Sequence, residues 1–139
     1  MCAVAPLPQS ICVVDDDESV RDSMRALLES YGIAVEEYAS ARDFLAHPEA
    51  GHSSCMLLDL HMPEMDGLQL LDTMRKQGSA LPVIIITGRG DSQLSARAVQ
   101  AGAYALLNKP VEDELLIENI RCAVASASGH VRDTSAAPR

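Results

Sequence analysis

Cys55-Met56-Leu57-Leu58-Asp59 is an apolar run that stops on a carboxylate, and three other runs in the chain stop in a similar way. Ile11-Cys12-Val13-Val14 gives way to Asp15-Asp16-Asp17, Val83-Ile84-Ile85-Ile86 to Thr87-Gly88, and Tyr104-Ala105-Leu106-Leu107-Asn108 to Lys109-Pro110. Read as parallel strands, these runs share one carboxyl edge of a sheet, where open α/β folds place their ligands. That edge would gather Asp15, Asp16, Asp59, the Thr87 hydroxyl and the Lys109 ammonium.

Helical patterns alternate with the strand-like runs, the arrangement that gives a parallel sheet covered by helices on both faces. Ser19 can cap a helix with Val20, Met24, Leu27, Leu28 and Tyr31 at spacings of three and four, closed by Gly32. A second strand over 33–38 and a short helix over 40–46, stopped by Pro48, complete the second unit. The polar stretch 49–54 leads into the strand ending at Asp59, and Pro63 to Gly67 form a loop before a helix over 68–76. Val83 to Ile86 has the unbroken apolar character of a central strand. The alanine-rich segment 92–101 offers few large apolar side chains, so its helix is expected to be lightly anchored and able to move. Leu116, Ile120 and Val124 mark a last helix from about Glu112. Residues 126–139 are small and polar and read as a disordered tail, and 1–9 as a flexible N-terminus.

A chain of 139 residues supports one apolar core, and its 47% hydrophobic and 22% charged composition is that of a globular domain. No run is long enough to span a bilayer, and the opening lacks a secretory signal, so a cytoplasmic location is expected with no membrane partner. The net charge of −9, with 20 acidic against 11 basic residues, argues against direct nucleic-acid binding. Cys2, Cys12, Cys55 and Cys122 form no CxxC pair, which excludes a zinc or redox motif and favours structural thiols.

Three carboxylates at one edge repel one another unless protonated or neutralised by a cation. Oxygen donors without histidine or cysteine favour magnesium, with manganese able to substitute. Lys109 adds a point charge suited to a phosphoryl group, and Thr87 a hydroxyl donor. A carboxylate so placed can attack phosphorus and form an acyl phosphate. Taken singly, each feature has a plainer reading: a helix-capping turn at Asp15-Asp16-Asp17, an Asx turn at Asp59, a strand-end hydroxyl at Thr87, a surface lysine at Lys109. Their combination carries the site.

Val13-Val14-Asp15-Asp16, Leu58-Asp59-Leu60-His61-Met62-Pro63-Glu64-Met65-Asp66-Gly67, Ile86-Thr87-Gly88 and Lys109-Pro110 together resemble the motifs of bacterial two-component response regulator receiver domains. The likeness covers residues 10–125, with every motif in order. Ile86-Thr87-Gly88-Arg89-Gly90-Asp91 and Ala101-Gly102-Ala103 are further similar to the nitrogen-fixation regulator type. The resemblance implies a flavodoxin-like, doubly wound sheet of five parallel strands in order 2-1-3-4-5. It implies Asp59 as phosphoacceptor, Asp16 as magnesium ligand, Asp15 acting through the ion's waters, and the His61 backbone carbonyl as a further ligand. Thr87 and Lys109 would contact the phosphoryl group, with a cis Lys109-Pro110 peptide. The donor would be a histidine kinase or histidine phosphotransfer protein. A downstream protein target, left unnamed by the sequence, would read the switch, with a phosphorylation-dependent dimer as one mode.

Two positions depart from the family pattern. The aromatic usual three residues before the lysine is Leu106, which leaves Tyr104, two residues earlier on the same strand face, as the candidate aromatic switch. The residue after Lys109-Pro110 is Val111 in place of phenylalanine. A constitutive pseudo-receiver module is the alternative function, but it needs a broken site, and every phosphorylation residue is present. An aspartyl-phosphate phosphatase needs a second acid two residues after the nucleophile, where this chain has His61. A dinucleotide fold fails because Gly88-Arg89-Gly90 lacks a third glycine and follows the wrong strand. The chain is thus expected to be a signalling protein that catalyses only its own phosphorylation and dephosphorylation.

Overall fold

A computed structural model of the chain describes residues 6–47, 53–88 and 92–136, with side chains as far as 127. Pro48 as a helix stop, the polar residues 49–52, Arg89-Gly90-Asp91 and the outermost residues of both termini lie outside them. Strands β1 (Ser10–Val14), β2 (Ala34–Tyr38), β3 (Met56–Asp59), β4 (Val83–Thr87) and β5 (Ala105–Asn108) alternate with helices α1 (Glu18–Ser30), α2 (Ala41–Leu45), α3 (Gly67–Lys76), α4 (Ser92–Gln100) and α5 (Asp113–Ala136). All strand pairs are parallel, in the order β2-β1-β3-β4-β5. The flavodoxin-like topology expected from the motifs is the one observed.

Side-chain alternation along each strand sorts the core into two layers. Cys12, Val14, Met56, Leu58, Val83 and Ile85 face α2, α3 and α4, whose Phe44, Leu70, Leu71, Met74 and Ala98 complete that layer. Ile11, Val13, Leu57, Ile84 and Ile86 face α1 and α5 through Leu28, Leu116, Ile117 and Ile120. Every residue of β3 and β4 is buried, which is why these strands read as continuous apolar runs instead of alternating ones.

The start of α1 corrects the sequence reading. Its N-cap is Asp17, not Ser19: the Asp17 carboxylate accepts from the backbone N–H of Ser19 and Val20, and the Ser19 hydroxyl donates to it at 2.7 Å. Asp17 is therefore a helix stop signal in reverse, fixing the turn that follows Asp15 and Asp16. The Ser19 hydroxyl and these two N–H groups hold its carboxyl below the usual range. Asp17→Ala is expected to lower the melting temperature at neutral pH. Because the folded-state pKa is depressed, that contribution is present above the ordinary value of 3.8 and is lost as pH falls through the folded value. Thermal melts of both proteins across this acid range should therefore converge; a constant offset would refute the carboxylate cap.

Other ends follow local chemistry. Ser40 caps α2, and Asp66 with Gln69 forms a reciprocal capping box at α3. Gly32 takes a positive φ of 80° just past α1, as its place in the sequence suggested. Helix α4 buries only Ala98 completely. The backbone of α5 is helical to Ala136, past the Ala125 where the sequence reading ends it and into the stretch expected to be disordered. Alanine favours helix and no proline intervenes before Pro138, so local propensity permits the extension. Cys12 and Cys55 are buried free thiols, pushed up in pKa by burial.

Candidate functional site

The parallel register places the ends of β1, β3 and β4 side by side, since Val14 pairs with Leu58 and Asp59 with Ile86. The residues that follow each strand therefore meet at one edge. Asp15, Asp16 and Asp59 each offer a carboxylate oxygen within 4.8 Å of the others. Asp15 and Asp59 are buried, Asp16 is exposed, and Thr87 is fully buried. Lys109 reaches the cluster from the end of β5, its Nζ 3.3 Å from Asp15 Oδ2 and 3.6 Å from Asp59 Oδ1. The three acids and Lys109, with His61, Asp17 and Gly88, line a cleft of about 480 Å³.

Backbone groups hold the arrangement. The Asp17 N–H donates to Asp15 Oδ1 at 2.9 Å, and the His61 N–H donates to the Asp59 carboxylate. Arg21 on α1 donates from Nη1 to the Asp15 carbonyl at 2.7 Å while its Nε bonds Glu37 of β2, which also pairs with Arg25. The Lys109 N–H donates to the Thr87 carbonyl at 2.8 Å, and the Lys109-Pro110 peptide is cis, as expected. The Thr87 hydroxyl lies 3.3 Å from His61 Nδ1.

Burial pushes the Asp59 carboxyl up to about 6, and the neighbouring Asp15 charge adds to the effect, while Lys109 and the His61 N–H oppose it. One ammonium faces three carboxylates, so the cleft keeps a negative excess that a hard divalent cation would relieve. The donor set is all oxygen, and Asp15, Asp16 and Asp59 fit such an ion.

The loop after β3 explains why Gly67 stands where it does. A Cβ there would lie 2.5 Å from the Asp59 carbonyl oxygen and 2.9 Å from Leu60 Cα, both backbone atoms that cannot swing aside. Gly67→Ala is expected to destabilise the fold by about 1–3 kcal/mol by forcing the backbone apart. It should also disturb Asp59 itself. Urea unfolding with amide chemical shifts at 59–61 checks this: wild-type stability with unmoved shifts would contradict the close approach.

Not every expected residue joins the cluster. Tyr104 is 42% exposed, and its N–H bonds the Val83 carbonyl at the start of β4, the sheet edge opposite the acids. Four residues of strand separate it from Asn108, about 13 Å. Tyr104 precedes β5 and lines a hollow with Pro82, Gly102 and Ala123 at that far edge. Leu106 occupies the position nearer the site, paired with Ile85 and half-buried against the core layer under α2, α3 and α4. Val111 packs into the α1–α5 layer. Two contributors escaped the sequence reading: Arg21, whose place one helical turn beyond the acids was the available signal, and the ring of His61.

The family model described as the response regulator receiver domain matches residues 11–121. The transcriptional regulatory protein TdiR of Thauera aromatica is 38% identical over 84% of this chain and 51% of its own length. FixJ of Azorhizobium caulinodans is 36% identical over 94% of this chain and 63% of its own. The chain thus spans between half and two thirds of these relatives. Among solved structures, a CheY-like response regulator receiver domain protein from Methanospirillum hungatei superposes with a TM-score of 0.81 at 32% identity, covering 88% of this chain and 98% of that one. Among the described residues, no helix is long and apolar enough to cross a membrane.

Proposed function

The chain belongs to the response regulator receiver domain family of two-component signalling proteins, and from that premise we propose that Asp59 is its phosphoacceptor. One observation carries the assignment: of the three clustered acids, Asp59 alone is itself the last residue of a strand, the middle one of the sheet, and its buried carboxylate lies 3.6 Å from Lys109. An Asp59 oxygen attacks phosphorus, an acyl phosphate forms, and the bond from phosphorus to the donor breaks with its electron pair leaving on the donor. Lys109, already within 3.6 Å of Asp59, offsets charge on the transferred group. Thr87 supplies a hydroxyl to a phosphoryl oxygen. Asp15, Asp16, Asp59 and the His61 carbonyl would hold magnesium, or manganese in its place, and the bound ion would neutralise phosphoryl charge.

The phosphoryl donor we propose is a histidine kinase or histidine phosphotransfer protein, and the outcome is altered binding of a downstream protein. The net charge of −9 supports a protein target for this chain over direct contact with nucleic acid. Contacts of Thr87 and Lys109 that are stronger in the phosphorylated state would set the balance of conformations. Tyr104, at the far edge, is left out of this switch. Incubation with acetyl phosphate and magnesium followed by intact-mass measurement tests the reading, and one added phosphoryl group is expected. A chain that stays unmodified yet captures the same partners before and after treatment would instead be a constitutive binding module.

A further inference from the structure

Building on the phosphoacceptor reading, we propose that the imidazole of His61 is a positioning residue that latches the Thr87 hydroxyl in the unphosphorylated state. Thr87 is fully buried at the end of β4, and its Oγ1 lies 3.3 Å from His61 Nδ1. If the proton is on Nε2, the hydroxyl donates to Nδ1; in the other tautomer Nδ1–H donates to the hydroxyl oxygen. The latch is the first arrangement, in which the one hydrogen of the hydroxyl is given to the ring; in the second that hydrogen could still be donated to a phosphoryl oxygen. The ring is well placed for this, because the His61 N–H bonds the Asp59 carboxylate and fixes the backbone from which it projects. It stands between two hollows: the acid cleft, and a second space lined by Asp16, Met62, Pro63, Asp66 and Leu94 at the first turn of α4.

A phosphoryl group on Asp59 must then compete with His61 for the same hydroxyl. The exchange of one hydrogen bond for another sets how far the equilibrium favours the resting state. Removing the ring leaves the backbone carbonyl and N–H of residue 61 in place and deletes only the resting-state contact. A hydrogen bond of ordinary net strength corresponds to a change of about fivefold in that equilibrium.

The test measures binding of beryllofluoride with magnesium by NMR titration in the parent, His61→Ala, His61→Asn, Thr87→Ala and the His61→Ala/Thr87→Ala pair. His61→Ala is expected to bind about fivefold more tightly than the parent. His61→Asn, whose amide can take the Nδ1 position, should restore parental affinity, and His61→Gln, which reaches the Nε2 position, should not. In the Thr87→Ala background, the His61 substitution should make no difference. Equal effects of His61→Ala in both backgrounds, or weaker binding in His61→Ala, would overturn the latch. Should His61→Ala fail to fold, the contrast between Asn and Gln still decides. Absence of beryllofluoride binding to the parent would overturn the phosphoacceptor reading itself, a distinct result.

Discussion

Asp59→Asn is expected to take up no phosphoryl group from acetyl phosphate, a loss of roughly a thousandfold or more in rate, as when an enzyme loses its nucleophile. The amide keeps the shape of the carboxylate but has no negative oxygen to attack phosphorus. Asp15 and Asp16 are close enough to make the experiment informative, since all three carboxylates lie within 4.8 Å of one another. Asp15 accepts from the Asp17 N–H and faces Lys109, so its oxygens are already engaged, and Asp16 is exposed. Substituting either by Asn should slow modification while leaving its final position at Asp59. Peptide mapping after trapping the acyl phosphate locates the group. A full-stoichiometry adduct in Asp59→Asn would place the nucleophile elsewhere.

The same substitution is expected to stabilise the metal-free protein at neutral pH. Asp59 binds its proton more tightly when folded, at about 6, than at the ordinary value of 3.8. The folded state is thus favoured on the acid side of this window: the contribution is complete below the unfolded value and is lost as pH rises through the folded one. Over that interval the loss is at most roughly 3 kcal/mol. An asparagine does not titrate, so Asp59→Asn should gain on the parent as pH rises from about 4 to about 7, reaching about 1–3 kcal/mol. Magnesium should narrow the gap by stabilising the parent, which offers such an ion three carboxylates where Asp59→Asn offers two. Urea unfolding with chelator and with magnesium measures both effects. Identical pH slopes for the two proteins would show that neither burial nor Asp15 burdens the Asp59 charge.

Much of this could be read in the chain because the central strands are buried on both faces. Continuous apolar runs at 11–14, 55–58 and 83–86 end where the sheet ends, so the polar residue after each run marks the edge that holds the site. What escaped was geometry across elements. Asp17 and Ser19 are both good helix caps, and only the backbone path after Asp16 decides that Asp17 closes the helix while Ser19 hydrogen-bonds to it. Tyr104 illustrates the limit of alternation, which assigns a face but not a height along the strand. Arg21 reaches Asp15 through a carbonyl, and a backbone acceptor has no letter in a sequence. The thin packing of α4 was legible because large apolar residues are scarce there, whereas the length of α5 was not, since small residues permit a helix without requiring one.

The single completely buried side chain of α4 has an evolutionary consequence. A helix fastened to the core by Ala98, with Leu94 half-buried beside it, leaves Gln93, Ala96, Arg97, Val99 and Gln100 outside the core. Substitutions at those surface positions are expected to leave folding nearly unchanged, as exposed sites usually do. Selection could therefore rewrite that face for a new partner without first acquiring compensating changes in the interior, and diversification of recognition would run ahead of any change in the phosphoryl chemistry.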